Sequence, residues 1–262
     1  MSTIAGVGAG VGFGVRPPSI NEFSPLAVYR FSSPWVATAT GIASVADSSG
    51  NGNAPLVQGT GSAQPAFSAT ALNGRPCGVF DGTTHFMYDN GGAICGAVQN
   101  PDADDKPHSI AIAYQMLTTS KTMYFVGFGY SGGTTPFHYL RQTTGILAYY
   151  RRGVGGVGDI AAFTYDTAST AARVLVESKQ STLISAIVNG VAVLTNSACN
   201  TGPLAQTLPA GIVDQFGVGC LFRDTPSQHA EMRVGLVAVW DRALTQTEMA
   251  QVSAIMQAEF GL

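Results

Sequence analysis

The carboxylates, hydroxyls and imidazoles of this chain are spread so that few of them could act together. Glycoside hydrolysis needs two carboxyl groups facing one cleft, about 5–10 Å apart. Glu22, Glu177, Glu231, Glu248 and Glu259 are isolated from one another along the chain. Asp81 and Asp241 close strand-like runs, where a turn role is the ordinary one for aspartate. A serine nucleophile is set on a G-x-S-x-G elbow, and Gly129-Tyr130-Ser131-Gly132 is one residue short of it. His85, His108, His138 and His229 show no ligand spacing, and Cys77, Cys95, Cys199 and Cys220 contain no C-x-x-C pair. Cys77 and Cys220 lie in strand-like contexts and read as buried free thiols, with two bridges among the four cysteines, in a pairing the sequence does not choose, as the alternative. No catalytic residue and no metal ligand is assigned on these grounds.

Binding chemistry has somewhat more to draw on. Asp47, Ser49, Asn51 and Asn53 alternate oxygen ligands, and Asp102, Asp104 and Asp105 cluster, but neither group ends in the glutamate of a twelve-residue calcium loop. Asx-rich turns account for both equally well. A bound calcium is thus the one cofactor left open. A sugar site needs aromatic rings beside planar hydrogen-bonding groups. Tyr149, Tyr150, Arg151 and Arg152, or Phe137, His138, Tyr139 and Arg141, offer both, although strand alternation puts only half of each run on one face.

The elements that would carry these groups are mostly strands. The last stretch, Val234 to Leu262, organises the rest. Its strand is apolar on both faces, with Val234, Leu236, Ala238 and Trp240 on one and Gly235, Val237 and Val239 on the other, so it belongs inside a covered sheet. A helix follows. Thr245 and Glu248 form a capping box, Leu244 and Met249 a hydrophobic staple, and Met249, Val252, Met256 and Phe260 an apolar stripe that Gly261 ends. Upstream, residues 109–117 and 121–129 read as paired strands, and residues 136–142 and 146–152 as a hairpin flanking Thr144–Gly145. Asn189–Gly190 is the preferred type I′ pair of a further hairpin, and Asn73–Gly74 marks another turn. About a dozen short strands with regular turn signals indicate a sandwich or jelly roll.

Composition narrows the partners. Of 262 residues, 45% are apolar but only 11% charged, less than half the usual roughly 25% of a soluble domain. So little charge suits a subunit packed among neighbours, hence a homo-oligomer or assembly component. The net charge of −3 and the three lysines, Lys106, Lys121 and Lys179, leave no basic stripe for nucleic acid. No apolar run reaches the roughly 18 residues needed to span a membrane. The glycine-broken N-terminus lacks the basic region of a secretory signal. Residues 1–25 read as a glycine-rich arm, with Val7, Val11, Phe13 and Val15 as assembly contacts, and residues 26–262 as one domain. Glycine is costly to order, so such an arm is expected to be held by a neighbouring chain.

Four segments taken together resemble the concanavalin A-like (laminin G-like) lectin/glucanase superfamily. They are D-S-S-G-N-G-N at 47–53, L-N-G-R-P-C-G-V-F-D-G-T at 72–83, I-V-N-G at 187–190 and V-G-L-V-A-V-W-D-R-A-L-T-Q-T-E at 234–248, in the family's order. The resemblance implies a jelly-roll β-sandwich with one C-terminal amphipathic helix. The glucanases of that superfamily carry E-x-D-x-x-E on one strand, and its absence here points away from catalysis. The Gly/Ala/Thr-rich style with its glycine arm also resembles versions found in tailed-phage virion proteins. The expectation is therefore a non-catalytic virion structural protein, a capsid decoration or surface component assembled in the host cytoplasm among other virion subunits. The alternative is a carbohydrate-binding adhesin or tail-fibre receptor module with a cell-surface glycan as partner, and a glycoside hydrolase stands third.

Overall fold

The computed structural model describes residues 18–32, 35–89, 92–98, 106–133, 137–143, 146–152, 158–163, 169–198 and 213–262. Seventeen strands occur among them. In chain order these are β1 (Ala27–Arg30), β2 (Trp35–Ala37), β3 (Ile42–Val45), β4 (Leu56–Val57), β5 (Ala66–Leu72), β6 (Arg75–Asp81), β7 (Met87–Asp89), β8 (His108–Met116) and β9 (Met123–Gly129). They continue with β10 (Phe137–Thr143), β11 (Ile146–Arg152), β12 (Gly158–Phe163), β13 (Arg173–Gln180), β14 (Leu183–Val188), β15 (Val191–Ala198), β16 (Gln215–Val218) and β17 (Glu231–Trp240). A short helix α1 (Ala93–Val98) precedes β8, and α2 (Gln246–Phe260) closes the chain. No described helix is long and apolar enough to cross a membrane.

The strands form two antiparallel sheets. One runs β15-β14-β13-β8-β17-β6-β5 with β1 also on β17, and the other β12-β11-β10-β9-β16-β7-β4-β3-β2. Their facing side chains make the larger core, which includes Tyr29, Phe80, Ile112, Phe125, Phe128 and Val237. The outer face of the first sheet is covered by α2, whose Met249, Val252, Met256 and Phe260 pack on Leu236, Ala238, Trp240 and Val176. This is an all-β jelly-roll sandwich with one C-terminal helix, as expected.

The helix is set by local chemistry. Thr245 accepts the Glu248 N–H, Glu248 accepts the Thr245 N–H, and Gly261 ends the helix at φ 66°. Both Asn-Gly hairpins then clamp it. Asn73, at φ 49°, donates its amide to the carbonyls of Phe260 and Gly261, and the Gly190 N–H donates to Ser253 Oγ at 2.9 Å. Helix carbonyls left without partners at the C-terminus are thereby satisfied.

Three expectations are corrected. Residues 109–117 and 121–129 do not pair, because β8 lies in one sheet and β9 in the other. The short link arches between layers and the two strands meet face to face, with Tyr114 and Phe125 rings 5.0 Å apart. Second, β17 carries a register shift between Val234 and Leu236. Val234 therefore points into the inter-sheet core with Val237 and Val239, while Leu236, Ala238 and Trp240 face the helix. Third, residues 19–23 are not free arm. Ser19 and Glu22 form a second capping box around a 3-10 turn, Ile20 is buried, and Trp240 Nε1 donates to the Phe23 carbonyl at 3.0 Å. Val7, Val11, Phe13 and Val15 lie outside the described residues.

Candidate functional site

Among the described residues no helix covers the outer face of the nine-stranded sheet. Its central strands carry glycines there. A Cβ at Gly217 would sit 1.9 Å from the Phe222 ring, and one at Gly129 would sit 2.2 Å from the Phe222 carbonyl. This flat floor lets the segment after β16 fold back, pinned by reciprocal Leu221–Ser227 backbone hydrogen bonds of 2.9 and 3.2 Å. Phe222 is held over the sheet by its own N–H, which donates to the Tyr139 hydroxyl at 3.1 Å. Burial keeps that phenol protonated, its pKa well above the ordinary value.

Phe86 and Tyr88 come up beside Phe222 from the edge of β7, both half-buried. Their rings stack at 6.2 Å and 28°, and Phe222 meets Phe86 edge-on at 5.4 Å. Phe86 and Tyr88, with the buried Phe222 ring packed against them, line a cleft of about 200 Å³ whose other lining includes Gln215, Arg223 and Asp224. Ser131 closes one end, its N–H and hydroxyl both held by the Asp214 carboxylate at 2.8 and 2.5 Å. His229 backs Phe86 at 5.9 Å, and burial lowers its pKa, so the imidazole stays neutral. Apolar ring surface thus adjoins an amide, a guanidinium and a carboxylate. Two larger openings among the described residues offer at most one ring. The groove of about 360 Å³ between Phe23 and Ile255 is mainly apolar, and the depression of about 440 Å³ around Asn21, Asn51 and Asp241 has no ring.

The sugar platforms expected from sequence are dispersed by strand alternation. His138 and Tyr149 point into the core and are fully buried. Tyr139 lies under Phe222, and Arg141 lies half-buried across the Tyr124 ring, its guanidinium 5.9 Å from the centroid. Tyr150, Arg151 and Arg152 belong to β11, which pairs with β10 and β12. The cleft residues come from segments far apart in the chain. The only local sign of them is the F-M-Y alternation at 86–88, which puts Phe86 and Tyr88 on one face.

The acids are engaged in structure. Glu22 and Glu248 serve capping boxes, Glu248 also pairs with Arg242 at 2.8 Å, Glu231 with Lys121 at 3.1 Å and Glu259 with Arg30 at 3.2 Å. Asp81 accepts the N–H groups of Thr83, Thr84 and His85, each at 2.9 Å. Burial opposes its ionisation, yet these bonds hold its pKa far below the usual carboxylate range. Asp47 accepts from Val28, Ser49 and Asn53 and organises the 47–53 turn in the same way. Asp102, Asp104 and Asp105 lie outside the described residues, as does Cys199. Cys77, Cys95 and Cys220 are buried free thiols. His108 and His138, unrelated in sequence spacing, meet in the core, with His108 Nε2 3.0 Å from His138 Nδ1.

No family model and no curated protein matches this chain. Solved structures do. The botulinum neurotoxin type G receptor-binding domain superposes with a TM-score of 0.56 at 10% identity, over 88% of this chain and 51% of that one. The serotype D binding domain gives 0.57 at 10% identity, over 89% and 51%. The CBM40 module of the Ruminococcus gnavus IT-sialidase overlaps less, with a TM-score of 0.48 at 15% identity over 56% of this chain and 83% of that one. The chain spans about half the length of the toxin domains it matches. At these identities the likeness to the toxin domains is one of fold alone.

Proposed function

We propose that this chain is a non-catalytic glycan-binding module whose site is the Phe86–Tyr88–Phe222 cleft. One observation carries the reading. The half-buried rings of Phe86 and Tyr88, seated on the buried Phe222, line an open cleft of about 200 Å³ to which Gln215, Arg223 and Asp224 bring polar groups. A pyranose presents C–H groups on one face and hydroxyls round its edge. Rings receive the first, and planar polar groups fix the second. The serotype D toxin domain, which shares the fold, has been solved in complex with N-acetylneuraminic acid. Arg223 makes no salt bridge among the described residues and is available to a hydroxyl or carboxylate. The virion role expected from the sequence finds no counterpart in the comparisons. In the present reading residues 1–17 serve as a tether to whatever assembly carries the module.

The test is a glycan array probed with the full chain, followed by calorimetric titration of the best glycan. Tyr88→Ala and Arg223→Ala should each weaken binding about tenfold, the loss of roughly 1.4 kcal/mol of contact, with the fold unchanged by circular dichroism. Absence of saturable binding to any glycan, or binding that both variants retain, refutes the assignment.

A further inference from the structure

One polar cluster inside the sandwich takes no part in the cleft. His108 at the start of β8, His138 on β10 and Glu177 on β13 meet between the two sheets, and all three are fully buried. One ligand atom from each lies within 4.8 Å of the others. His108 Nδ1 lies 2.9 Å from the Lys106 carbonyl and so carries its proton there, which leaves the Nε2 lone pair facing the cluster. His138 Nδ1 is 3.0 Å from that Nε2, and its Nε2 is 3.3 Å from Glu177 Oε1. The Tyr149 hydroxyl stands 3.3 Å from His138 Nδ1. Neither oxygen of Glu177 accepts a hydrogen bond from a described residue.

We propose that His108, His138 and Glu177 form a two-histidine, one-carboxylate site for a zinc ion that joins the two sheets of the sandwich. The donor set is one zinc takes, and the Lys106 carbonyl already fixes the His108 tautomer that ligation needs. Bonds of about 2.0–2.1 Å set tetrahedral donors about 3.4 Å apart, against the 4.8 Å within which they lie here, so side-chain rotation must close the site. His138 presents opposite nitrogens to its two neighbours, and its ring turns to place one between them. Tyr149 stands beside His138 on the fourth side. Burial, opposed by the nearby Lys179, raises the Glu177 pKa to about 8 in the metal-free chain, and a divalent cation would hold the carboxylate ionised. The site is enclosed on all sides, so its role is to couple the layers, not to activate water, and the ion enters as the chain folds.

The experiment refolds the full chain from denaturant with Zn²⁺ or Co²⁺, removes excess metal, and measures bound metal by mass spectrometry and the cobalt form by visible absorption. About one equivalent per chain is expected, with the intense d–d bands of four-coordinate cobalt and a higher Tm than after refolding with chelator. Glu177→Gln, a shape-conserving change, should lower metal affinity at least tenfold, and His138→Asn likewise. His85→Gln, at a half-buried histidine outside the cluster, should leave uptake unchanged. The proposal is overturned if the wild-type chain retains neither metal, if Glu177→Gln binds as well as wild type, or if His85→Gln abolishes uptake. Proton NMR of the cobalt form decides the matter should both core variants fail to fold. Hyperfine-shifted imidazole N–H signals that resist solvent exchange support the buried site, and exchanging ones refute it.

Discussion

Gly235 is where a one-carbon change tests the architecture most directly. It lies at the register shift in β17, its carbonyl accepts the Phe31 N–H at 2.9 Å, and it faces α2. A Cβ there would sit 2.2 Å from Phe260 Cε1, 2.5 Å from Phe260 Cζ and 2.8 Å from Leu72 Cδ2. Gly235→Ala gains about 0.5–1 kcal/mol by restricting the unfolded backbone. Against this, overpacking a filled site costs about 1–3 kcal/mol, and driving the Phe260 ring out altogether approaches the 3–5 kcal/mol of a lost buried aromatic. The steric term wins, and we expect a net loss of about 2 kcal/mol. At 2–4 °C per kcal/mol for a domain of this size, Tm should fall by roughly 4–8 °C. Urea denaturation followed by tryptophan fluorescence measures the loss, since Trp240 lies on the same face. The coupling is also specified. Phe260→Leu frees the space, so Gly235→Ala should cost at least about 1 kcal/mol less in that background than alone. A Gly235→Ala protein as stable as wild type, or costs that simply add, would mean that the strand runs through without the shift and that Phe260 packs elsewhere.

Two further perturbations have signs that follow from the structure. Thr245→Ala removes the hydroxyl that accepts the Glu248 N–H and should cost about 1 kcal/mol, with Thr245→Ser restoring most of it in the same denaturation assay. Burial, with Asp214 nearby, raises the Asp89 pKa to about 6 from 3.8. The folded state therefore holds that proton more tightly than the unfolded state, and this contribution is complete below pH 3.8 and lost as pH rises through about 6. The loss is on the order of 3 kcal/mol. Asp89→Asn, whose amide oxygen can still accept the Phe216 N–H, should flatten stability between pH 4 and 6.5 relative to wild type, and parallel curves for the two proteins would refute the assignment.

What the sequence determined about this protein is what nearest neighbours along the chain decide. The Thr245–Glu248 box and the Gly261 stop are satisfied by residues a few positions away, and the left-handed backbone at Asn73 and Asn189 is set by the Asn-Gly pairs themselves, so residue order specifies them. The alternating apolar runs likewise require a two-layered β fold whatever the strand order. Tertiary structure decided everything that depends on which strand lies opposite which. Sequence spacing makes β8 and β9 look like a hairpin, but both are apolar on two faces, and they gain more by facing each other across the core than by pairing edge to edge. The shift at Gly235 reverses the facing of Val234 because the Phe260 ring, from the far end of α2, occupies the place of a side chain. Glycines at 129 and 217 clear a floor for Phe222, and only then do Phe86 and Tyr88 become the walls of a cleft. His108, His138 and Glu177 carry no shared spacing, yet register places them within 4.8 Å. Each of these is a contact between residues distant in the chain, and a side chain's own neighbours carry no record of what the fold will bring to it.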